Sequence, residues 1–374
     1  MRTTLLLLVL ISGYVTVSAQ ELHISYLDAD SNSFYPAGSL TTDVYNNNFL
    51  KNNEYFDPLT EGITYLGSEL QPEITYAFAR QARLTAGWYF RYYYGTEKFN
   101  RSLPVFRFEY EPKPNVKLVF GQLHGQLNHQ LIQPVYGFDN YYKRNPENGV
   151  QLIAKGSRLE ADIWMSWDHF ILPGDNEQEE ITAGFRSLYK LIGDHTFNGL
   201  YLDFQGLIHH YGGQVDQSDA PLQTRFNLAA GLKINRSCIF VDGLEWRVSS
   251  YLVQANDASG KATLPYKKGF ASYSTVNATW KFASLGISYF HGEYYFAPLG
   301  EQLFQSVSEL NDWYTEDRRN LLKANLELSK SLFKGVCIGF MTESFYDLNS
   351  GNLNFSYGLN IKSHFTAKVF DRNY

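Results

Sequence analysis

Nine histidines lie in this sequence of 374 residues, and four of them carry the obvious chemical options: His124, His129 and the adjacent pair His209-His210. An imidazole can act as a general base near neutral pH or offer a nitrogen to a metal. Their surroundings supply no motif for either role. There is no H-E-x-x-H and no G-x-S-x-G, and the only cysteines are Cys238 and Cys337. A Ser or Asp could still meet a His across neighbouring strands, an arrangement that leaves no local signature. On this evidence the expectation is a protein that is not an enzyme, with no metal and no cofactor.

A second group of residues is more informative because of its spacing. Arg83, Arg91, Arg107, Glu109, Lys117, Arg158, Glu160, Asp162, Arg186, Asp203, Arg225, Glu245, Arg247, Lys323, Glu327, Glu343 and Lys362 each sit within a segment that alternates polar with apolar residues. Side chains of a strand alternate between its two faces, so these charges share a face that is opposite an apolar one. So many charges do not fit a dry interior, where each unpaired one costs several kcal/mol by order of magnitude. They are expected either to line a water-filled pore or to pair across neighbouring strands. Both signs occur in similar number, so strong ion selectivity is not expected.

The elements that must hold these residues are long. Residues 353–369 place Leu353, Phe355, Tyr357, Leu359, Ile361, Phe365, Ala367 and Val369 on one face, broken only by Ser363, with Asn354, Lys362 and His364 opposite. That run exceeds the common strand length of about five to six residues. Similar alternation recurs in seven pairs of segments joined by tight turns, among them Leu84, Ala86, Trp88 and Phe90 after Arg80-Gln81-Ala82, and Val336, Ile338 and Phe340 after Phe333-Lys334-Gly335. A first strand is expected at Leu22, Ile24 and Tyr26, followed by a polar insert over residues 28–67. With the closing strand this makes about sixteen strands, an even number that leaves both termini on one side. The other connections are longer, at about residues 92–103, 124–149, 169–179, 212–222, 256–268, 298–318 and 346–351.

The opening residues, a basic start at Arg2, an apolar run from Leu5 to Ile11 and Val17-Ser18-Ala19, read as a secretory signal peptide over residues 1–19, leaving residues 20–374 as one domain. No later stretch offers the ~20 consecutive apolar residues of a membrane-spanning helix. The aromatic load, 28 Tyr, 27 Phe and 6 Trp, fits the two aromatic girdles of a spanning barrel. Sixteen strands also exclude a TonB-dependent transporter, which needs about 22 strands and a plug. The net charge of −6 and the lack of a basic cluster argue against nucleic acid as a partner. The strand plan places Cys238 and Cys337 roughly 19 Å apart at ~4.8 Å per strand, so two free thiols are expected.

In strand pattern, short turns, long loops and an aromatic C-terminal residue at Tyr374, the chain resembles the outer-membrane β-barrel proteins of Gram-negative bacteria, and is most similar to porins. Tyr374 departs from the parity of the last strand, so Phe365 takes the place of the terminal aromatic. The resemblance implies an all-β, antiparallel up-and-down barrel in the cell outer membrane, in contact with lipid and lipopolysaccharide, and trimerisation as porins often show. The function it implies is passive diffusion of small polar solutes. The alternative is a non-conducting barrel of an assembly or uptake complex whose loops bind protein partners. Two inserts stand out as candidates to narrow the mouth. Residues 124–149 carry Leu127, Leu131, Ile132, Val135, Tyr136 and Phe138, too apolar for a loop that only faces water. Residues 302–314 place Leu303, Val307, Leu310 and Tyr314 at helical spacing.

Overall fold

The computed structural model describes residues 36–193, 198–311 and 314–370, and folds them into a closed antiparallel barrel of sixteen strands in sequence order. The strands are β1 (Ser39–Glu54), β2 (Thr64–Ala79), β3 (Ala82–Tyr93), β4 (Arg101–Lys113), β5 (Val116–Gln122), β6 (Asn148–Lys155), β7 (Leu159–His169), β8 (Glu180–Gly193), β9 (Gly199–Tyr211), β10 (Gln223–Ser237), β11 (Leu244–Asp257), β12 (Lys268–Trp280), β13 (Ala283–Glu293), β14 (Arg318–Phe333), β15 (Val336–Asp347) and β16 (Leu353–Phe370). β1 closes the ring against β16, with Val44 opposite Phe365 and Leu50 opposite Leu359. Closure leaves no strand edge unpaired, the condition for a sheet to cross a membrane. Short turns crowd one end and long loops the other, which orients the long loops outward from the cell.

The alternation holds around the ring. Leu70, Ile74, Phe106, Ile163, Leu252, Ile287 and Phe365 stand exposed on the outer wall, while Glu69, Arg107, Asp203, Lys323 and Glu343 are buried on the inner one. Cys238 and Cys337 are free thiols. The proposed signal segment, with the strand expected at Leu22, Ile24 and Tyr26, lies outside the described residues.

The position of the first described strand corrects the sequence reading. The described part of the expected insert, residues 36–67, is not a connection: it contains β1 and the start of β2. The alternation in β1 is disguised because Asn46 and Asn48 occupy its outer face, where Asn48 donates to the Asn46 side chain and Asn46 donates to the Glu69 carbonyl. Those bonds satisfy amides that lipid would leave unpaired.

A second difference concerns residues 302–314. The helical spacing there yields only a 3₁₀ turn at Gln302–Phe304, followed by a bridge between Val307 and Thr315. The Leu303 carbonyl, which a helix would give to a backbone N–H one turn later, instead accepts from Arg319 Nη2 at 2.8 Å. Ser308 Oγ accepts from the backbone N–H groups of Leu310 and Asn311, a local turn that competes with helix.

The interior is largely filled at its outer half. Residues 123–147, between β5 and β6, fold inward and meet residues 294–317, between β13 and β14. Gly137 N donates to Leu299 O at 2.6 Å, Glu301 N to Gln133 O at 3.1 Å, and the Tyr295 hydroxyl to Pro134 O at 2.9 Å. Between them lies a dry cluster of Val135, Tyr136, Phe296, Leu299, Leu303 and Phe304, packed on the wall residues Leu207, Val253, Phe290, Leu321 and Phe345. The apolar content of residues 124–149 thus has a use: it forms the core of an inward-folded plug.

Candidate functional site at the outer mouth

The plug is tied to the wall by charge. Within it a short helix, α1 (Asn140–Arg144), follows Asp139. Asp139 accepts from Lys51 Nζ on β1 and from Asn53 Nδ2 at 2.6 Å. On the same side the Tyr141 hydroxyl donates to Glu69 at 2.6 Å, and Arg91 on β3 pairs with Glu69 at 2.7 Å while donating to the carbonyls of Tyr141 and Tyr142. A cation on the last carbonyls of a helix satisfies acceptors that have no partner within it. β1, β2 and β3 therefore hold α1 by one flank.

The other flank of α1 faces a cavity. Its volume is about 210 Å³, and Tyr55, Thr60, Asp139, Lys143, Arg144, Tyr211, Glu301 and Glu309 are among its lining residues. Glu301 is only 4% exposed, and its Oε2 has no hydrogen-bond partner. Burial first, and then the nearby Asp139 carboxylate, push its carboxyl up to about 7 against the opposing pull of Lys51 and Lys143. A carboxylate so placed is a general base matched to neutral pH. The Tyr55 hydroxyl is also buried without a partner and lines the same cavity. Together with the Lys143 ammonium it can stabilise negative charge that develops on a bound oxygen.

The four histidines are dispersed. His129 is fully enclosed in the plug, its Nδ1 2.7 Å from Asp162 and its Nε2 2.8 Å from Glu147, with the ring stacked on Trp164 at 3.5 Å. Burial alone would lower its pKa, but Asp162 and Glu147 outweigh it and raise the value to about 9. With both nitrogens donating, it is a structural imidazolium. His124 meets Glu109 at 2.9 Å, and burial lowers its pKa. His210 faces outward: its Nε2 donates to the Gly212 carbonyl at 2.7 Å, which leaves Nδ1 to accept from the Thr224 hydroxyl at 2.8 Å. His209 faces inward beside Thr182 and Glu180.

Of the seventeen charged residues singled out by alternation, Arg158 falls in the β6–β7 turn and the others lie on the strands, most of them paired. Arg83, Arg107 and Lys117 converge on Glu109, Arg107 also reaches Glu73, Arg186 meets Asp203 at 2.9 Å, and Lys323 meets Glu343 at 2.7 Å. Arg91 pairs with Glu69, Arg247 lies 3.7 Å from Glu245, and Asp162 holds His129. Arg225 donates to Gln223 and Thr263, while the Lys362 ammonium stands 5.8 Å from the Tyr141 ring. Arg158 and Glu160 are exposed near the β6–β7 turn. Glu327 lines a cavity of about 160 Å³ with Arg186, Lys233, Arg247 and Lys323. Alternation thus found the wall but not the mouth site, whose Glu301, Asp139 and Lys143 stand on inserts without periodicity.

A model of the family described as Lipid A 3'-O-deacylase-type matches residues 27–370. No curated protein matches the sequence. Similar solved structures include OmpT, an outer membrane protein of Vibrio cholerae, as expressed in the outer membrane, at 11% identity and TM-score 0.51 over 89% of this chain and 100% of that one. They also include its loop L8 deletion mutant, at 12% identity and TM-score 0.53 over 88% and 100%. These likenesses show the fold: a porin-like barrel of the cell outer membrane. The family match overturns the expectation that the chain is not an enzyme, because the family is described by a deacylase activity. The lack of a local motif is no evidence against an activity whose residues come from segments far apart in the chain.

Proposed function

The chain belongs to the Lipid A 3'-O-deacylase-type family, and from that premise we propose that it hydrolyses an acyl ester of an outer-leaflet glycolipid of the lipid A kind in the cavity at its outer mouth. The observation that carries this reading is Glu301, a buried carboxylate with an unpartnered oxygen, poised near neutrality beside a cation and a free hydroxyl. In the proposed step Glu301 takes a proton from water as the water oxygen attacks the ester carbonyl. The carbonyl oxygen becomes an oxyanion facing Lys143 and the Tyr55 hydroxyl. Collapse breaks the acyl C–O bond, and the sugar oxygen leaves with the proton held by Glu301. The products are a free fatty acid and a sugar hydroxyl. Lys143 also suits a phosphate of such a glycolipid. Acyl chains remain against the apolar outer wall.

The test is fatty-acid release from vesicles containing lipid A, followed by mass spectrometry with the purified barrel. Glu301→Gln is expected to lower kcat by about 10²- to 10⁴-fold, the usual contribution of a general base. Wild-type activity should rise with pH through about 7 as Glu301 ionises. Undiminished turnover by the Gln variant would remove Glu301 from the reaction. Passive diffusion, the reading drawn from alternation, finds less support, since the plug crosses the outer half of the lumen.

A further inference from the structure

Beside the mouth cavity the outer ends of β7, β8 and β9 bring together Asp168, Glu180 and His209, whose ligand atoms all lie within 4.8 Å of one another. Arg144 of the plug reaches into this group, its Nη2 2.6 Å from Asp168 Oδ2 and 2.6 Å from Glu180 Oε1. The Ser166 hydroxyl donates to Asp168 Oδ1 at 2.8 Å.

The hydrogen bonds fix how His209 presents itself. The single proton of the Thr182 hydroxyl goes to Asp168 Oδ2 at 2.5 Å, so Thr182 Oγ1 must accept from His209 Nδ1, 2.8 Å away. With Nδ1 donating, it is Nε2 that carries the lone pair of the neutral ring. His209 is only 2% exposed, and its Nε2 has no hydrogen-bond partner although Glu180 Oε1 lies 3.1 Å away. In the neutral ring that lone pair faces the Glu180 carboxylate oxygen, an arrangement that a cation placed between them would satisfy.

We propose that Asp168, Glu180 and His209 form a binding site for a divalent transition metal of the zinc type, in which Arg144 serves as a tethered cation that the metal displaces. An imidazole nitrogen with two carboxylates is a common zinc donor set, with ligands about 2.0 to 2.2 Å from the ion. The Arg144 Nη2 position, equally distant from both carboxylates, marks where the ion would lie after a small contraction. The hydroxyl of Thr182, bonded to both Asp168 and His209, would hold those two ligands as a second layer. Metal entry would also free the end of α1 from the wall. The inference goes beyond the hydrolytic reading and stands without it.

The experiment is calorimetric titration of zinc alone into the purified, chelator-treated full-length barrel. Gel mobility with and without heating reports whether each variant is folded. Arg144→Met, which removes the competing cation, is expected to bind one zinc at least tenfold more tightly than wild type. Adding His209→Asn to that variant should weaken binding at least tenfold, and Glu180→Gln provides the same test if the His209 variant does not fold. No zinc uptake by Arg144→Met, or equal uptake after removal of His209 or Glu180, would overturn the site. Because the readout is binding, a failure here leaves the role of Glu301 untouched, and inactivity of the hydrolase leaves the metal site standing.

Discussion

At the scale of single residues, two buried groups have raised pKa values, and for both stability falls as pH rises, each in its own window. Glu301 has its folded pKa raised from 4.5 to about 7, so the folded protein keeps a proton that the unfolded chain has lost, and stability falls as pH rises through that window. Glu301→Gln should therefore melt above wild type at pH 8, and on the proposed reading it should also be less active. His129 is raised from 6.5 to about 9. Its contribution is fully present below 6.5 and is lost as pH rises through 9, with an upper figure on the order of 3 kcal/mol. His129→Gln should cost more than that near neutrality, because Glu147 and Asp162 would then face each other without a cation; breaking such a buried pair costs about 3 to 5 kcal/mol. Melting curves of wild type and His129→Gln at pH 6 and pH 9.5 check the sign: the gap between them should narrow at the higher pH. A gap that widens would mean the ring is neutral in the folded protein.

At the scale of elements, the strands were legible and the plug only partly so. The polar side chains of β3, β4, β7 and β14 reveal their inner face because lipid on one side forces a period of two, while the expected count of sixteen rests on a strand at Leu22, Ile24 and Tyr26 in place of β1. β1 escaped because Asn46 and Asn48 satisfy one another on the outer face. The apolar residues around Val135 and Tyr136 announce an inward fold, but no local rule ties Lys51 to Asp139, 88 positions away. Glu301 was invisible for the same reason: its environment comes from β1 and two inserts that meet only in the closed ring. Lys51, with no exposed surface, tests how the element is held. Lys51→Met would leave Asp139 with Asn53 Nδ2 as its remaining close donor from β1. Asp139 and α1 should then become accessible, read as protease cleavage within residues 137–145 at least several-fold faster than in wild type, while the sixteen-strand barrel stays folded. Unchanged cleavage would show that Arg91 and Glu69 alone anchor the helix.

At the scale of the whole molecule, the same wall that resembles a pore encloses a packed mouth. Sixteen strands would leave an aqueous channel if nothing entered it. Here the dry cluster around Val135, Leu303 and Phe304 spans from the β5–β6 insert to the β13–β14 insert, and both are bonded to the wall. Beside it remain open cavities of about 160 and 130 Å³, both lined by Arg186 and its neighbours. On the proposed reading, the barrel is a frame that presents the polar mouth cavity for hydrolysis, with its apolar wall outside to meet acyl chains. This division predicts the electrical behaviour. Purified wild-type protein in a planar bilayer should give no stepwise openings. Replacing residues 126–145 by a short Gly-Ser link should produce them, since the remaining insert cannot fill a ring of this width, and should abolish ester hydrolysis at the same time because α1 and Lys143 leave with the plug. Open channels in the wild type, at the voltages where the shortened protein conducts, would show that solutes pass the plug and would return diffusion to the front of the functional account.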